Sequence, residues 1–297
     1  MKVAVVQLAY ADDLPREEHR VRVADRVGRS GADVDLVVLP ELWSVGAFTP
    51  RSWPERAEPV DGPTFSVMAA AAARAGCVLH AGTIMEELSA QGESAVRADS
   101  ERADGRPGSG CHMANTAGVF GPDGSCLTTY RKIHTFGAAG VERDLVRPGE
   151  QVCVVDIPVP CPTSAETTVR VGLATCYDLR FPELFRLLAG QGAQMMLVSA
   201  SWPAVRSEAW RILLQARAME NQVFVVGCGA AGVNGRTAMA GQSLVVGPDG
   251  SVLVEALGCS GSDGAPDATM TVDLDLAEVS RVREDFPVLP DRRLDRC

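Results

Sequence analysis

The sequence predicts an α/β fold in which two helix-covered sheets pack face to face. Three observations carry that prediction. Strand and helix patterns alternate βαβα over residues 3–85, which indicates at least partly parallel strands. A Gly-Pro-Asp-Gly turn occurs twice in similar company, AGVFGPDGSCLTTY at 117–130 and SLVVGPDGSVLVEA at 243–256, so the chain reads as two similar halves. No linker long enough to demand a second domain interrupts the pattern, and residues 1–297 read as one domain.

Residues 3–8 form a first core strand. Residues 14–29 place Val21, Ala24 and Val27 on one face with charges elsewhere, the pattern of an amphipathic helix. A short apolar strand at 35–39 runs into Pro40-Glu41, Gly62-Pro63 opens an Ala-rich helix through Ala75, and 77–85 is the next strand. Residues 88–112 break the alternation: rich in Gly, Ser, Asp, Glu and Arg and without periodicity, they read as a surface insertion. Residues 113–120 and 125–131 are strands joined by the first Gly-Pro-Asp-Gly turn. The run 169–186, VRVGLATCYDLRFPELFR, begins as a strand and breaks at Cys176. It restarts as a helix with Pro182 in its first turn and Leu184, Leu187 and Leu188 at helical spacing. A strand at 194–199 ends at Ser201-Trp202-Pro203, and a helix at 204–221 sets Val205, Ala209, Ile212, Leu213 and Ala216 on one face. Strands at 222–229 and 241–246, a loop at 258–267, a last strand at 269–274 and a short helix at 276–283 complete the chain before a Pro/Arg-rich tail.

Hydrophobic residues make up 46%, which supports a packed core rather than a disordered chain. Basic residues number 28 and acidic ones 38, a net charge of −10, and an acidic chain without a basic run is a poor partner for nucleic acid. No long apolar span exists, so no membrane partner is expected. The start MKVAVVQLA reads as a core strand rather than a signal peptide. Nine cysteines, an odd number with no CxxC pair, argue against a disulfide framework and a Cys-rich zinc site. The expected compartment is a reducing cytoplasm. No GxGxxG follows the first strand, which weighs against a nucleotide-binding fold.

A thiol at a strand-to-helix turn is well placed for chemistry: the strand holds it, the turn exposes it, and nearby backbone N–H groups face negative charge developing there. The competing reading of Cys176 is an inert structural cysteine, and the polar shell of Tyr177, Asp178, Arg180 and Glu183 weighs against it. Glu41 follows an apolar strand at its C-terminal end, where α/β folds place their sites, though alone it reads equally as a surface carboxylate. Lys132, at the end of a hairpin in TYRKIHTFG, would alone be a solvated charge. His134 reads as a hydrogen-bonded structural imidazole, with no second histidine at metal-pair spacing. Glu142 by itself is a loop carboxylate.

Three separated segments in order change that balance: LVVLPELW around Glu41, YRKIHTFG around Lys132 and GLATCYDLRFPELFR around Cys176. With them the chain resembles the nitrilase superfamily of carbon–nitrogen hydrolases over nearly its whole length. ARAMENQVFVV (216–226), GQSLVVGPDGSVL (241–253) and VDLDLAEVSRVREDFPVLPDRR (272–293) support the likeness. The resemblance implies a four-layer αββα sandwich, a nitrilase-like fold making one carbon–nitrogen hydrolase domain, in a homodimer or higher homo-oligomer. It implies a catalytic set of Glu41, Lys132 and Cys176, with Glu142 at the position of a second family glutamate. The insertion at 88–112 departs from a compact family member, but it precedes the strand carrying Asn115 and interrupts no catalytic motif.

In the implied chemistry Cys176 attacks an amide carbonyl. Glu41 takes the thiol proton, passes it to the departing ammonia and then activates water against the thioester. Lys132 stays charged and, with the backbone N–H of Tyr177, stabilises the oxyanion. Glu142 orients Lys132 or the substrate nitrogen, and no metal or organic cofactor is required. CYDLRFPEL resembles the branch containing omega-amidases and deaminated-glutathione amidases. Arg180 is a candidate clamp for a substrate carboxylate, with an ion pair to Asp178 or Glu183 as an equal alternative; Tyr177 and Trp202 complete the expected substrate contacts. The expected reaction releases ammonia and a carboxylate from a small linear amide, an omega-amide of a dicarboxylic acid. The alternatives are an N-carbamoyl amino acid hydrolase, a nitrilase, or a non-catalytic binding or scaffold protein on the same fold. The C-terminal segment 269–297 is expected to contribute to a dimer contact, because its short apolar stretches (Val272, Leu274, Leu276 and Val288-Leu289-Pro290) suit docking on another surface.

Overall fold

Apolar residues two apart along the strands supply both faces of two sheets, and that alternation builds the layers. The computed structural model describes residues 1–11, 14–88, 112–137, 142–159, 167–259 and 263–293; the insertion expected at 88–112 lies, apart from its two end residues, outside them. The chain begins β1 (Lys2–Gln7), α1 (Arg16–Gly31), β2 (Leu36–Val38), α2 (Trp53–Arg56), α3 (Pro63–Ala75) and β3 (Val78–Glu87). It continues β4 (Met113–Phe120), β5 (Cys126–Arg131), α4 (Glu142–Leu145), β6 (Val154–Pro158), β7 (Thr168–Thr175) and α5 (Pro182–Gly190). Then come β8 (Met195–Ala200), α6 (Ser207–Asn221), β9 (Phe224–Gly229), β10 (Val233–Asn234) and β11 (Thr237–Ala238). It ends with β12 (Leu244–Val246), β13 (Val252–Glu255), β14 (Ala268–Asp273) and α7 (Ala277–Asp285).

One six-stranded sheet runs β14-β1-β2-β3-β4-β5 and the other β13-β12-β9-β8-β7-β6. Val3, Val5, Leu36, Val38 and Val78 of the first sheet meet Val169, Val171, Leu173, Leu197 and Val226 of the second in one shared core. The alternate residues Ala4, Val6, Val37 and Leu79 face α1 and α3, while Ala174, Met196, Val198 and Val225 face α5 and α6. The result is the α–β–β–α sandwich expected from the sequence. Among the described residues no helix is long and apolar enough to cross a membrane.

The two halves match strand for strand. β14–β1, β3–β4 and β4–β5 are antiparallel and β1–β2 and β2–β3 parallel. β6–β7, β9–β12 and β12–β13 are antiparallel and β7–β8 and β8–β9 parallel in the same succession. The repeated Gly-Pro-Asp-Gly turns close the equivalent hairpins β4–β5 and β12–β13. In both, the Asp Oδ1 (Asp123, Asp249) accepts from the backbone N–H at 2.9 Å and the hydroxyl at 2.6 Å of the serine two residues on.

α6 buries a different face from the one its apolar residues predict, whereas α1 and α5 bury two of the three predicted residues each and exchange the third. α6 begins at Ser207 after a 3₁₀ turn, and its buried side is Trp210, Leu214, Arg217, Ala218 and Asn221; Val205 and Ile212 are 88% and 56% exposed. The indole of Trp210 is the largest group available to cover β9 and β12. Arg217 is admitted because its guanidinium donates to the Leu179 carbonyl at 2.8 and 3.2 Å and lies over Phe185. In α1, Val23 is buried and Val21 exposed; in α5, Phe185 replaces Leu187. The C-terminal strand also finds its partner at home: β14 pairs with β1, and Leu274 and Val279 are buried within the chain. Among the described large apolar side chains of the last segment, Phe286 is the exposed one.

Candidate active site

Cys176 stands where β7 ends and a 3₁₀ turn (Cys176–Arg180) begins. Its φ is +47°, a left-handed conformation that costs a non-glycine residue about 1–3 kcal/mol. Asp178 holds the turn against that strain. Its Oδ2 accepts from the Thr175 N–H at 2.9 Å and the Tyr130 hydroxyl at 2.8 Å, and its Oδ1 from the His134 N–H at 2.9 Å. His134 Nδ1 lies 2.7 Å from the same Oδ1, and its ring stacks on Phe181 at 3.8 Å. One buried carboxylate thus ties the cysteine turn to the segment carrying Lys132. His134 is the hydrogen-bonded imidazole that the sequence leads one to expect.

Glu41 lies in the buried turn after β2. The turn is pinned by the Leu42 N–H to Thr83 Oγ1 at 3.0 Å and by Trp43 Nε1 to the Ala81 carbonyl at 2.9 Å. The Ser201 N–H donates to Glu41 Oε2 at 2.8 Å and the Ser201 hydroxyl to the Glu41 carbonyl at 2.8 Å, with the Tyr10 hydroxyl 2.6 Å from Ser201 Oγ. Lys132 follows β5; its N–H donates to the Asn115 carbonyl at 2.9 Å. Its Nζ reaches Glu41 Oε1 at 2.9 Å and the two Glu142 oxygens at 3.0 and 2.8 Å. Glu142 opens α4, and the Phe136 N–H holds its Oε2 at 2.6 Å. All three charged groups are nearly inaccessible: Glu41 is 2%, Lys132 1% and Glu142 5% exposed.

Burial works against the ammonium of Lys132, but the adjacent Glu142 and Glu41 carboxylates outweigh it and push its pKa well above the ordinary lysine range. Lys132 is therefore a fixed positive charge. The Cys176 thiol is also pushed well above its usual range, first by burial and then by the Glu41 charge, which Lys132 only partly offsets. The resting cysteine keeps its proton, so its nucleophilicity depends on a base that removes the proton during attack. Glu41 is near enough to the thiol for its charge to act on it.

Glu41, Lys132, Glu142 and Cys176 share the floor of one pocket of about 120 Å³. Phe48, Phe136, Tyr177 and Trp202 wall it, and Arg180 and Arg206 are among its other lining residues. All seven residues singled out from the sequence therefore line one space. Arg180 lies 5.0 Å over the Trp202 ring. Among the described residues it makes no ion pair, because Asp178 is engaged with Tyr130, His134 and Thr175. Sequence reasoning missed the supports: Asn115, Ser201, Tyr10 and Arg206. For Ser201 a signal existed, since it follows β8 as Glu41 follows β2.

The carbon–nitrogen hydrolase family profile matches residues 2–284. A 2-oxoglutaramate amidase of Paenarthrobacter nicotinovorans is 34% identical over 295 residues, covering 99% of this chain and 90% of that protein. The omega-amidase NIT2 of Danio rerio is 29% identical over 306 residues, covering 99% and 95%. Saccharomyces cerevisiae Nit3, a member of branch 10 of the nitrilase superfamily, superposes with a TM-score of 0.77 at 26% identity, covering 99% of this chain and 96% of that one. With a family match spanning both sheets and both arms of the site, the chain belongs to the carbon–nitrogen hydrolase family and is a hydrolase of carbon–nitrogen bonds.

Proposed function

We propose that this enzyme hydrolyses the omega-amide of a short dicarboxylic acid, releasing ammonia and the free acid through a thioester on Cys176. The observation that carries the reading is Arg180: its guanidinium lines the pocket that holds Cys176, stacked over Trp202 and without a carboxylate partner among the described residues. Such a fork matches a substrate carboxylate held away from the scissile amide. The names of the relatives, 2-oxoglutaramate amidase and omega-amidase, agree with it.

In this reading the Cys176 sulfur attacks the amide carbon while Glu41 takes its proton. The ammonium of Lys132 and the Tyr177 N–H receive the oxyanion. Glu41 returns the proton to the amine as the C–N bond breaks. Ammonia leaves, and Glu41 then deprotonates a water that opens the thioester. Glu142 keeps Lys132 charged and aimed, Tyr177 and Trp202 shape the pocket, and the scheme needs no cofactor. Ammonia release from panels of omega-amides, N-carbamoyl amino acids and nitriles tests the reading, with the acyl adduct on Cys176 trapped by mass spectrometry. Turnover of nitriles or N-carbamoyl acids alone rejects it in favour of those reactions, and no adduct with any of them favours a binding protein.

The same reading has the enzyme working in the cytoplasm as a homodimer. Val205 in the 3₁₀ turn before α6, and Ile212 and Met219 on α6, recur every seven residues and are 88%, 56% and 55% exposed, with Leu187 of α5 at 50%. An apolar stripe of that kind suits a second copy better than water, and Phe286 near the C-terminus suits the same role. A monomer by light scattering at micromolar concentration contradicts the assembly.

A further inference from the structure

Two buried carboxylates share one ammonium in this site, which leaves a negative charge to be stabilised by neutral donors. Asn115, on β4, supplies them. Its Nδ2 lies 2.8 Å from Glu41 Oε1 and 2.9 Å from Glu142 Oε1, the same two oxygens that Lys132 Nζ reaches at 2.9 and 3.0 Å. Ammonium and amide thus close a ring with the two carboxylates. Asn115 is 1% exposed, and its carbonyl oxygen has no hydrogen-bond partner among the described residues. A buried amide that leaves its acceptor unsatisfied while aiming both hydrogens at anions is set by its donors, not by packing. The reverse amide orientation would face its oxygen toward two carboxylates, so the assignment follows from charge.

We propose that Asn115 is a positioning residue, resting on the reaction proposed above: it holds the Glu41 carboxylate toward the Cys176 thiol by bridging Glu41 to Glu142 without neutralising either. The side chain fits that task narrowly. A lysine there would add a second cation and quench the base. An aspartate would add a third anion. Glutamine, one methylene longer from the same strand position, would overrun the two oxygens. Its backbone serves the same end, because the Asn115 carbonyl accepts the Lys132 N–H at 2.9 Å, so one residue sets the ammonium's stem and both of its partners.

The test compares wild type with Asn115→Ala and Asn115→Asp by ammonia release from 2-oxoglutaramate and by the rate at which chloroacetamide alkylates Cys176, read by mass mapping of the peptide that carries it. In that alkylation the S–C bond forms, chloride leaves and the thiol proton passes to the base. Loss of base alignment of this kind costs about 100-fold. Asn115→Ala is expected to lower kcat by about that factor with KM within about threefold, and to slow alkylation comparably. Asn115→Asp has the same shape with an acceptor in place of the donor, and it is expected to fall below Asn115→Ala. A merely structural role would lower the melting temperature of both and leave kcat and alkylation per folded molecule unchanged. Folded Asn115→Ala within threefold of wild type in both rates, or Asn115→Asp as reactive as wild type, overturns the proposal; if Asn115→Ala does not fold, the isosteric Asn115→Asp decides alone. A wild type that alkylates but hydrolyses no amide removes the reaction and not the bridge, which the alkylation rates still decide.

Discussion

The two sheets have the same strand succession, yet they bring different chemistry to the pocket. The first sheet and its loops supply the acid–base and oxyanion groups, Glu41 after β2, Lys132 after β5 and Glu142 in α4, with the neutral amide of Asn115 on β4 between the two carboxylates. The second supplies the thiol after β7, the Ser201 and Trp202 turn after β8, and Arg180. Glu41 and Ser201 occupy equivalent strand ends, and they touch: the Ser201 N–H and hydroxyl hold Glu41 at 2.8 Å each. A duplicated scaffold therefore brings two non-equivalent half-sites face to face. The difference teaches that the Glu–Lys–Glu cluster and the nucleophile are held by separate halves, so substitutions on the two sides should fail in different ways.

The largest effect belongs to the second half. Cys176→Ala is expected to lower turnover by at least about 10⁴-fold, the scale seen when a nucleophile is removed, while the fold is retained because one small atom is trimmed. Substantial ammonia release by this variant removes Cys176 from the nucleophile role. The same variant carries a pH signature. Burial and Glu41 hold the native thiol well above its ordinary value of 9.0, so above pH 9 the unfolded chain gives up a proton that the folded one keeps. Stability falls as pH rises through that range. Denaturant titrations from pH 8 to 11 should show a shallower decline for Cys176→Ala, and parallel declines would contradict the direction of the shift.

The first half should lose activity and stability together. Lys132→Met strips the oxyanion of its charge, for about a 10³-fold loss. It also leaves Glu41 and Glu142 buried without their cation, which costs about 3–5 kcal/mol. A melting temperature equal to that of wild type would mean that the carboxylates find another partner. Asp178 joins the halves, since a residue of the second sheet's turn accepts from Tyr130 and His134 of the first. Asp178→Asn turns one acceptor oxygen into a donor facing donors, for an expected loss of about 2–3 kcal/mol and about tenfold in kcat, measured by melting and by initial rates. Unchanged kcat would show that the two loops keep their spacing without the clamp.

Arg180→Lys probes recognition in the second half and should act on KM. Lysine keeps the charge and loses the fork, for about 1–3 kcal/mol against a dicarboxylic acid monoamide, with an uncharged aliphatic amide largely spared. Equal losses on both substrates with a lowered melting temperature would make Arg180 structural.

How much of this the sequence disclosed follows from the range of each interaction. The strands around Cys176 and Glu41 were legible because alternation and turn residues are local signals, and the matched hairpins because Gly-Pro-Asp-Gly repeats with its neighbours. The strand β6 escaped because it is an edge strand whose VVDIP run lacks clear alternation. The inner face of α6 was misread because Arg217 and Asn221 look polar in sequence. They are buried only because Arg217 meets the Leu179 carbonyl and Asn221 Nδ2 the Arg217 carbonyl at 2.9 Å. Glu41, Lys132 and Cys176 emerged through motif resemblance, since nothing local marks a buried lysine. Asn115 and Ser201 stayed hidden because their roles exist only where the two halves meet.

The smallest effect sharpens the likeness of the halves rather than their difference. The equivalent turns place Gly124 at φ +81° and Gly250 at φ +88°, so an alanine at either should cost about 1–2 kcal/mol for the left-handed conformation alone. Their surroundings differ. A Cβ on Gly124 would meet the Ala69 carbonyl oxygen of α3 at 2.9 Å, an atom fixed in a helix backbone, whereas one on Gly250 would meet the Met219 methyl at 2.6 Å, the free end of a flexible side chain. The methionine can swing aside and the helix cannot. Gly124→Ala is therefore expected to lose about 1 kcal/mol more than Gly250→Ala, with kcat unchanged in both because neither turn touches the pocket. Equal losses in chemical denaturation would mean that α3 yields as readily as Met219, and that the two hairpins are mechanically as well as topologically equivalent.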